Sequence, residues 1–232
     1  MSLNLVKETE AARLVLTKRQ APQIKAQMNM VFDVSGSMRS LYGNGVVSNV
    51  IQRLLALATV VDPDGSIETV AFSNRACNGA TLQAGEFDRA QETFLNSCDD
   101  VLWGGTDYAS GLICLLNQGA PKPKKRGFFS NLFGGAAPKE EPKPAEKSLV
   151  FFITDGSNDH GNDAEFLDLL QNNKDVYFTL VGVGYRGNFG LLRRAAEDFD
   201  NVGLIEATNF KDLDADFYSM VMTDELVRWY QA

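Results

Sequence analysis

The chain of 232 residues is long enough for one α/β domain with a full hydrophobic core and short for two. Its hydrophobic share of 44% and charged share of 22% are ordinary for a globular protein, which excludes general disorder. A net charge of -8 argues against general nucleic-acid binding, which depends on Lys and Arg, and favours metal ions or basic partners.

The sequence carries no pattern typical of export or membrane insertion. Three cysteines, odd in number and outside any Cys-x-x-Cys spacing, argue against a disulfide framework or a zinc cluster and favour a reducing compartment. The first residues contain no apolar stretch of signal-peptide length. The longest apolar runs, 54–61 and 149–153, are far shorter than the roughly 20 residues that a membrane span requires. We therefore expect a cytoplasmic protein.

Strands and helices alternate along the chain. Residues 28–34 form a short apolar run, as in a strand buried on both faces of a parallel sheet. Apolar residues then recur at spacings of three and four over 47–61, which predicts one buried helix face. Further strands are predicted at 66–73, 149–154, 175–182 and 202–206, an edge segment at 76–83, and helices at 87–97, 107–118, 163–172, 188–198 and 212–229. This order predicts a doubly wound α/β fold with a mostly parallel central sheet and helices on both faces.

Two segments lie outside this alternation. Residues 1–20 show only a weak helical pattern, and we expect an N-terminal extension that covers a sheet edge or belongs to an interface, before a domain at 21–232. Residues 119–147 contain five of the seven prolines and seven Lys or Arg against three Glu, so this insertion has a charge of +4 and the remainder -12. Its composition is typical of a flexible surface insertion.

The insertion also contains a basic, aromatic run that could bind a partner or an anionic surface. The candidate residues are Lys124, Lys125, Arg126, Phe128, Phe129 and Phe133. Deletion of 122–146 that left every interaction unchanged would contradict this interpretation.

Three loops concentrate oxygen ligands. The loop 33–37 reads Asp-Val-Ser-Gly-Ser, 104–107 reads Gly-Gly-Thr-Asp, and 154–157 reads Thr-Asp-Gly-Ser. The first and third follow predicted parallel strands, and the second precedes a predicted helix. Because the carboxyl ends of parallel strands share one crevice at the switch point of an open sheet, the three loops can meet.

The candidate metal ligands in these loops are Asp33, Ser35, Ser37, Thr106 and Asp155. An extended backbone points alternate side chains the same way, so the three ligands of the first loop can converge. Carboxylate and hydroxyl oxygens are hard ligands that suit Mg²⁺, Mn²⁺ or Ca²⁺. Two carboxylates would neutralise a divalent ion and leave it electrophilic toward an outside oxygen. This predicts a site completed by an Asp or Glu of a protein partner.

The three motifs, in this order, resemble the metal-ion-dependent adhesion site of von Willebrand factor A domains, over roughly 28–230. The resemblance implies that both serines of the first motif bind the metal directly, Thr106 directly or through water, and Asp33 and Asp155 mostly through water. It also implies that the element at 212–229 is the one that shifts when a ligand carboxylate completes the metal shell. With its basic, aromatic insertion, the chain is similar to the A-type domains of bacterial tellurium-resistance and stress-response proteins.

Each motif has a plainer explanation when it is taken alone. Asp33 could cap a helix, and Thr106 or Asp107 could be the N-cap of the helix that follows. The presence of all three pieces in order favours the metal site over these turn and capping roles.

The catalytic alternative is a metal-dependent phosphohydrolase of the haloacid-dehalogenase type that uses Asp33. Such enzymes resemble one another in a second Asp two residues later, the general acid, and here that position is Ser35. A phosphoryl-aspartate mechanism would then lack its proton donor. A serine hydrolase would have to use His160, the one histidine, without a Gly-x-Ser-x-Gly motif. We therefore expect a non-catalytic protein.

Three further features have simpler interpretations. The run 182–187 matches the dinucleotide-binding fingerprint, with Glu206 at a suitable distance for a ribose, but only about 45 residues follow it. We interpret its glycines as the end of a buried strand. The polar run 155–163 lacks the spacing of an EF-hand loop and is expected to rim the main site. Trp103 is expected in the core rather than as an exposed anchor.

Overall fold

The computed structural model of the chain describes residues 3–21, 24–118, 147–156, 158–184, 189–207 and 216–232. The strands are β1 Gln27–Asp33, β2 Ser66–Phe72, β3 Ala76–Asn78, β4 Leu82–Gln83, β5 Ser148–Thr154, β6 Val176–Val183 and β7 Val202–Ala207. The helices are α1 Leu3–Lys18, α2 Arg39–Gly43, α3 Val46–Val61, α4 Ala90–Asn96, α5 Tyr108–Gln118, α6 Asp163–Asn172, α7 Gly190–Asp198, α8 Phe217–Val221 and α9 Asp224–Gln231. Short 3₁₀ turns occupy Ala84–Arg89 and Asp99–Val101.

The strands form a sheet in the order β3-β2-β1-β5-β6-β7, with β4 also paired to β2. The long strands are parallel, and β3 and β4 run antiparallel to β2. The chain leaves β1 toward β2 on one side and later adds β5 on the other side. The loops after β1 and β5 therefore open into one crevice at this switch point. The predicted doubly wound, mostly parallel α/β fold is confirmed.

Alternate residues of the central strands pack on opposite faces of the sheet. Phe32 and Phe151 belong to a core shared with α1, α3, α8 and α9. Val31 and Phe152 belong to a second core shared with α5, α6 and α7. Helices cover both faces, which fixes β1 and β5 between two apolar layers and holds their carboxyl ends in place.

The single helix predicted at 212–229 is wrong. The described part contains two helices, α8 and α9, separated at Met222 and Thr223. Thr223 has an extended backbone, and its side-chain oxygen accepts a hydrogen bond from the backbone N–H of Leu226 at 3.2 Å. A side-chain cap therefore starts a new helix where apolar spacing alone predicted continuity. Residues 212–215 lie outside the described residues.

Two other predicted elements differ in detail. The edge segment 76–83 is divided into β3 and β4, because the chain turns at Gly79, whose N–H donates to the Thr69 carbonyl at 2.8 Å. The helix predicted at 87–97 begins as a 3₁₀ turn before α4, and α2 was not predicted at all.

The N-terminal segment forms a regular helix that packs on α3 and α8. Leu5, Ala12 and Leu16 are buried in the same core as the sheet, so α1 shares the core of the domain. The division into 1–20 and 21–232 stays a prediction. Within the ranges given above, no helix has both the length and the apolar surface needed to cross a bilayer.

The predicted insertion lies outside the described residues, except for Lys147 at its end. The same is true of its candidate docking residues Lys124, Lys125, Arg126, Phe128, Phe129 and Phe133.

Candidate metal centre

Asp33, the last residue of β1, lies at the bottom of the crevice with 0% of its surface exposed. One carboxylate oxygen accepts a hydrogen bond from the Ser35 backbone N–H at 2.7 Å, and the other accepts one from the Thr154 hydroxyl at 2.6 Å. Tyr42 donates from its hydroxyl to the Asp33 carbonyl at 3.0 Å. These bonds fix the carboxylate between the first motif and the end of β5.

The serines of the first motif link it to the third motif. The Ser35 and Ser37 hydroxyl oxygens are 3.1 Å apart, and the Ser37 hydroxyl donates to a carboxylate oxygen of Asp155 at 2.8 Å. Ser35 is buried, whereas Ser37 and Asp155 are more open to the crevice. Hydrogen bonds thus connect four of the five predicted ligands, which are Asp33, Ser35, Ser37 and Asp155.

The loop that carries Thr106 runs directly beside the first motif. The Trp103 N–H donates to the Val34 carbonyl at 2.6 Å, and the Gly36 N–H donates to the Gly104 carbonyl at 3.0 Å. Thr106 itself is buried. The second motif is therefore fixed against the first through its backbone, and Thr106 lies in the loop that closes this side of the crevice.

The loop needs a glycine at position 104 for a steric reason. A Cβ atom there would lie 2.2 Å from the side-chain oxygen of Asn74 and 2.8 Å from the Ser73 hydroxyl. Ser73 in turn accepts at its carbonyl from the Asp107 N–H at 2.8 Å. The close approach of the two loops leaves no room for a side chain at Gly104. The carbonyl of Thr106 accepts a hydrogen bond from the Asp159 N–H at 3.0 Å, so this residue is tied to the third loop through its backbone.

The third loop is tied to the second by amide side chains. The Tyr108 N–H donates to the Asn158 side chain at 3.0 Å, and the Asn162 amide donates to the Asp107 carboxylate at 2.6 Å. The Asp107 carboxylate also accepts from the Ser110 N–H at 3.1 Å, which caps α5. The polar run 155–163, apart from the undescribed Ser157, thus lies against the loop that carries Thr106.

Burial makes the two carboxylates of the centre costly when they are ionised. It raises the pKa of Asp33 to about 6, and the charge of Asp155 adds to this rise. Hydrogen bonds from Ser35 and Thr154 lower the pKa only in part. Burial also raises the pKa of Asp155. A cation between two such carboxylates would offset this cost.

The donor set fits a hard divalent cation. Within the described part of the chain, no three His, Cys, Asp or Glu side chains are grouped so that they could hold a metal. The centre instead offers two carboxylates and serine hydroxyls, which suit a hard cation that keeps bound water. Asp33, Ser35, Ser37, Thr106 and Asp155 are the residues that could hold such an ion.

Some contacts that build the centre were not predicted. Thr154 bonds Asp33, and the Tyr108 hydroxyl donates to the Gly156 carbonyl and lies 3.2 Å from the Thr154 hydroxyl. Trp103 is half-buried, has a left-handed backbone with φ of 67°, and packs edge-on against Tyr42 at 5.7 Å. No sequence pattern predicts these contacts, because the residues that make them are distant from each other along the chain.

The residues that the alternative functions would use make other contacts. Nδ1 of His160 lies 3.0 Å from the Thr106 carbonyl oxygen. Glu206 forms an ion pair with Arg193 at 2.5 Å, so its carboxylate already has a partner other than a ribose. Gly182 in β6 lies under the Phe189 ring, where a Cβ atom would be 2.8 Å from the nearest ring carbon. The last residues of the fingerprint, 185–187, lie outside the described residues.

The chain is similar to proteins of known sequence and structure. The uncharacterized protein YcbR of Bacillus subtilis (strain 168) is 26% identical over 206 residues, which cover 88% of this chain and 74% of that protein. A von Willebrand factor type A structure from Catenulispora acidiphila has a TM-score of 0.56 at 14% identity and covers 85% of this chain and 42% of that one. A structure of proximal thread matrix protein 1 from the mussel byssus, with a zinc-occupied MIDAS motif, has a TM-score of 0.52 at 20% identity. It covers 88% of this chain and 46% of that one, so the chain spans less than half of both solved structures.

A family model decides the assignment. It matches residues 25–232, which include all the strands of the sheet and all three motifs of the centre. The chain therefore belongs to the von Willebrand factor A domains, in the family described as the vWA found in the TerF C terminus.

Proposed function

We propose that the chain is a non-catalytic interaction module whose metal centre binds, through a divalent cation, an Asp or Glu side chain of a protein partner. One observation carries the proposal: hydroxyls of Ser35 and Ser37 connect to Asp155, beside the fully buried Asp33, at the switch point of the sheet. These side chains supply two negative charges and leave the open side of the crevice for an external ligand.

Mg²⁺ is the cation that we propose, because the donors are hard oxygens and the two carboxylates neutralise a divalent ion. Mn²⁺ and Ca²⁺ have the same ligand preference and are the alternatives. The mussel byssus protein is described with zinc at its MIDAS motif, which supports occupancy of this kind of loop by a divalent metal. A calorimetric comparison of Mg²⁺, Mn²⁺, Ca²⁺ and Zn²⁺ would rank them for this chain.

We also propose a cytoplasmic role in a bacterial tellurium-resistance or stress-response system. The support is the family description, which places this type of domain at the C terminus of TerF, together with the reduced state expected for three scattered cysteines. Deletion of the gene should increase sensitivity to tellurite, and a plasmid copy with an intact metal centre should restore resistance.

The central experiment removes the two hydroxyls of the first motif. Ser35→Ala with Ser37→Ala should abolish Mg²⁺-dependent capture of protein partners and leave the fold intact, because neither side chain belongs to the apolar core. Capture from a lysate is compared with Mg²⁺ and with EDTA, and circular dichroism monitors the fold. Ser40→Ala with Ser48→Ala, on α2 and α3, is the matched control that keeps the centre. Capture that survives EDTA or the first double variant would contradict the metal bridge.

The phosphohydrolase alternative is tested by a separate activity assay. The purified chain with Mg²⁺ should not hydrolyse p-nitrophenyl phosphate, since the position two residues after Asp33 is a serine that bonds another serine. Turnover that is lost in Asp33→Asn would overturn the non-catalytic proposal.

A further inference from the structure

An exposed arginine stands beside the metal centre. Arg39 is the first residue of α2, two positions after Ser37, and its guanidinium carbon lies 5.1 Å from the centre of the Trp103 ring. Among the residues that the structure describes, no carboxylate forms an ion pair with Arg39 and no acceptor takes a hydrogen bond from its side chain. Arg39 is exposed, so its side chain is accessible to an external acceptor.

The Trp103 ring that supports this arginine is held by the backbone of the metal centre. The Trp103 N–H donates to Val34, inside the first motif, at 2.6 Å. The ring meets Tyr42 edge-on, with 81° between the ring planes, and Tyr42 bonds the Asp33 carbonyl. Arg39, Trp103 and the candidate ligands thus form one connected unit.

The backbone of Trp103 has an unusual conformation for a residue with a side chain. Its φ of 67° lies in the left-handed region, which side chains with a Cβ atom rarely adopt. A tryptophan at the unfavourable position is explained if its ring has a function, and the ring contacts Arg39.

A guanidinium above an aromatic face keeps its edge free for a planar acceptor. The ring attracts the cation and restricts its orientation, and the fork of N–H groups then matches a carboxylate bidentately. The chain has a net charge of -8, which repels acidic segments at long range, so a local cation beside the centre favours their approach.

We propose that Arg39, stacked on Trp103, binds a second carboxylate of the partner whose first carboxylate binds the metal. The partner segment is then an acidic peptide with two carboxylates close together in sequence. This inference rests on the proposed function and identifies the partner chemistry that the same site recognises.

Synthetic peptides test it with the full chain in saturating Mg²⁺. One peptide carries a single Asp in a Gly-Ser background, and a set of others adds one Glu at each of the next few positions. At least one two-acid peptide should bind about tenfold more tightly than the one-acid peptide, as expected for a charge-assisted hydrogen-bond pair. Isothermal titration calorimetry or peptide NMR measures both affinities.

Arg39→Ala should remove that tenfold advantage and weaken binding of the one-acid peptide by a much smaller factor, because the peptide then loses only the long-range attraction of the cation. Arg39→Lys keeps the charge without the planar fork and should lose most of the advantage. Trp103→Gly relaxes the backbone but loses the ring contact with Tyr42, so thermal melting checks that it is folded, and it should also lose the advantage. Arg13→Ala is the control, since Arg13 is an exposed arginine on α1 that pairs with Glu10 at 3.1 Å.

The outcomes separate this inference from the proposed function. Mg²⁺-dependent binding of the one-acid peptide with no tighter two-acid peptide overturns the role of Arg39 and leaves the metal bridge standing. An advantage that Arg39→Ala or Arg39→Lys retains in full also overturns it. If no peptide binds in Mg²⁺, the metal bridge and the role of Arg39 are both refuted.

Discussion

The carboxyl group of Asp33 connects the chemistry of the centre to the stability of the fold. Its pKa in the folded chain is about 6, above the ordinary value of 3.8, mainly because the group is buried. The folded chain therefore holds this proton more tightly than the unfolded chain does. Between about pH 4 and pH 6 the metal-free fold loses stability as the pH rises, by up to about 3 kcal/mol for two pKa units. A bound cation would restore this loss.

Asp33→Asn should consequently stabilise the metal-free protein at neutral pH, by about 1 to 3 kcal/mol, because it removes a buried charge and keeps the shape. The gain should shrink at about pH 4, where the wild-type carboxyl is protonated in the folded chain and the pH is close to its ordinary pKa of 3.8 in the unfolded chain. Mg²⁺ should raise the melting temperature of the wild type but not of Asp33→Asn. Thermal melts in EDTA and in Mg²⁺ at both pH values measure this.

Asp168→Asn serves as the control, since Asp168 is an exposed carboxylate on α6 and its loss should change neither the pH dependence nor the Mg²⁺ effect. If Asp33→Asn melts below the wild type in EDTA at neutral pH, the buried, ionised carboxylate does not destabilise the metal-free fold.

The sequence predicted the candidate ligands because each lies in a short motif, including Asp155, which bonds Ser37 from 118 positions away. Ser35 and Ser37 follow Asp33 at alternate positions, and this spacing alone brought them together. The bond from Thr154 to Asp33 joins residues 121 positions apart, and the left-handed backbone of Trp103 depends on the loop packed against it. Neither leaves a pattern in the sequence, because both are consequences of tertiary packing.

Among the elements, α5 controls the position of the second motif. The helix starts directly after Thr106 and Asp107, and at Gly111 it lies so close to the sheet that a Cβ atom would be 2.9 Å from side-chain carbons of Phe72 and Val31. Any side chain at Gly111 must therefore push α5 away from β1 and β2, and the loop that begins the helix would move with it.

Gly111→Ala should destabilise the fold by about 1 to 3 kcal/mol, because overpacking outweighs the helix propensity gained from alanine. It should also weaken Mg²⁺ binding through displacement of Thr106. Urea unfolding and calorimetric titration with Mg²⁺ measure the two effects. Gly190→Ala, on α7 with open space around the new Cβ atom, should be neutral or stabilising. Equal stability of the two variants would show that α5 has room to adjust.

The sequence predicted the elements whose apolar residues follow one clear spacing. It did not predict the break where a helix cap interrupts such a spacing. The apolar run at β5 and the helical spacing of α3 needed no tertiary information. The end of the chain kept apolar spacing across Met222 and Thr223, yet the Thr223 side chain starts a new helix there. Since a threonine is also an ordinary helix residue, the spacing could not show that this one acts as a cap.

In the molecule as a whole, the N-terminal segment is joined to the C-terminal helices. The Tyr218 hydroxyl donates to Glu8 at 2.8 Å, and Arg19 pairs with Asp224 at 2.6 Å. The family match begins at residue 25, so α1 precedes the matched region although it shares its core. The weak helical pattern of 3–16 did not show this packing, because the exposed Leu3, Val6 and Leu14 lie among the buried positions.

Two leucines of α1 test whether this helix is part of the folding unit. Leu16 is 2% exposed and Leu14 is 61% exposed, so one helix supplies both the variant and its matched control. Leu16→Ala should cost about 2 to 5 kcal/mol, because it leaves a cavity against the core, and Leu14→Ala should change stability by less than about 1 kcal/mol. Urea unfolding gives both values. Mg²⁺ binding by folded Leu16→Ala should match the wild type, since α1 packs on α3 and α8 and contributes no candidate ligand. If the two variants unfold alike, α1 is a dispensable extension and the domain starts near residue 21, as the sequence predicts.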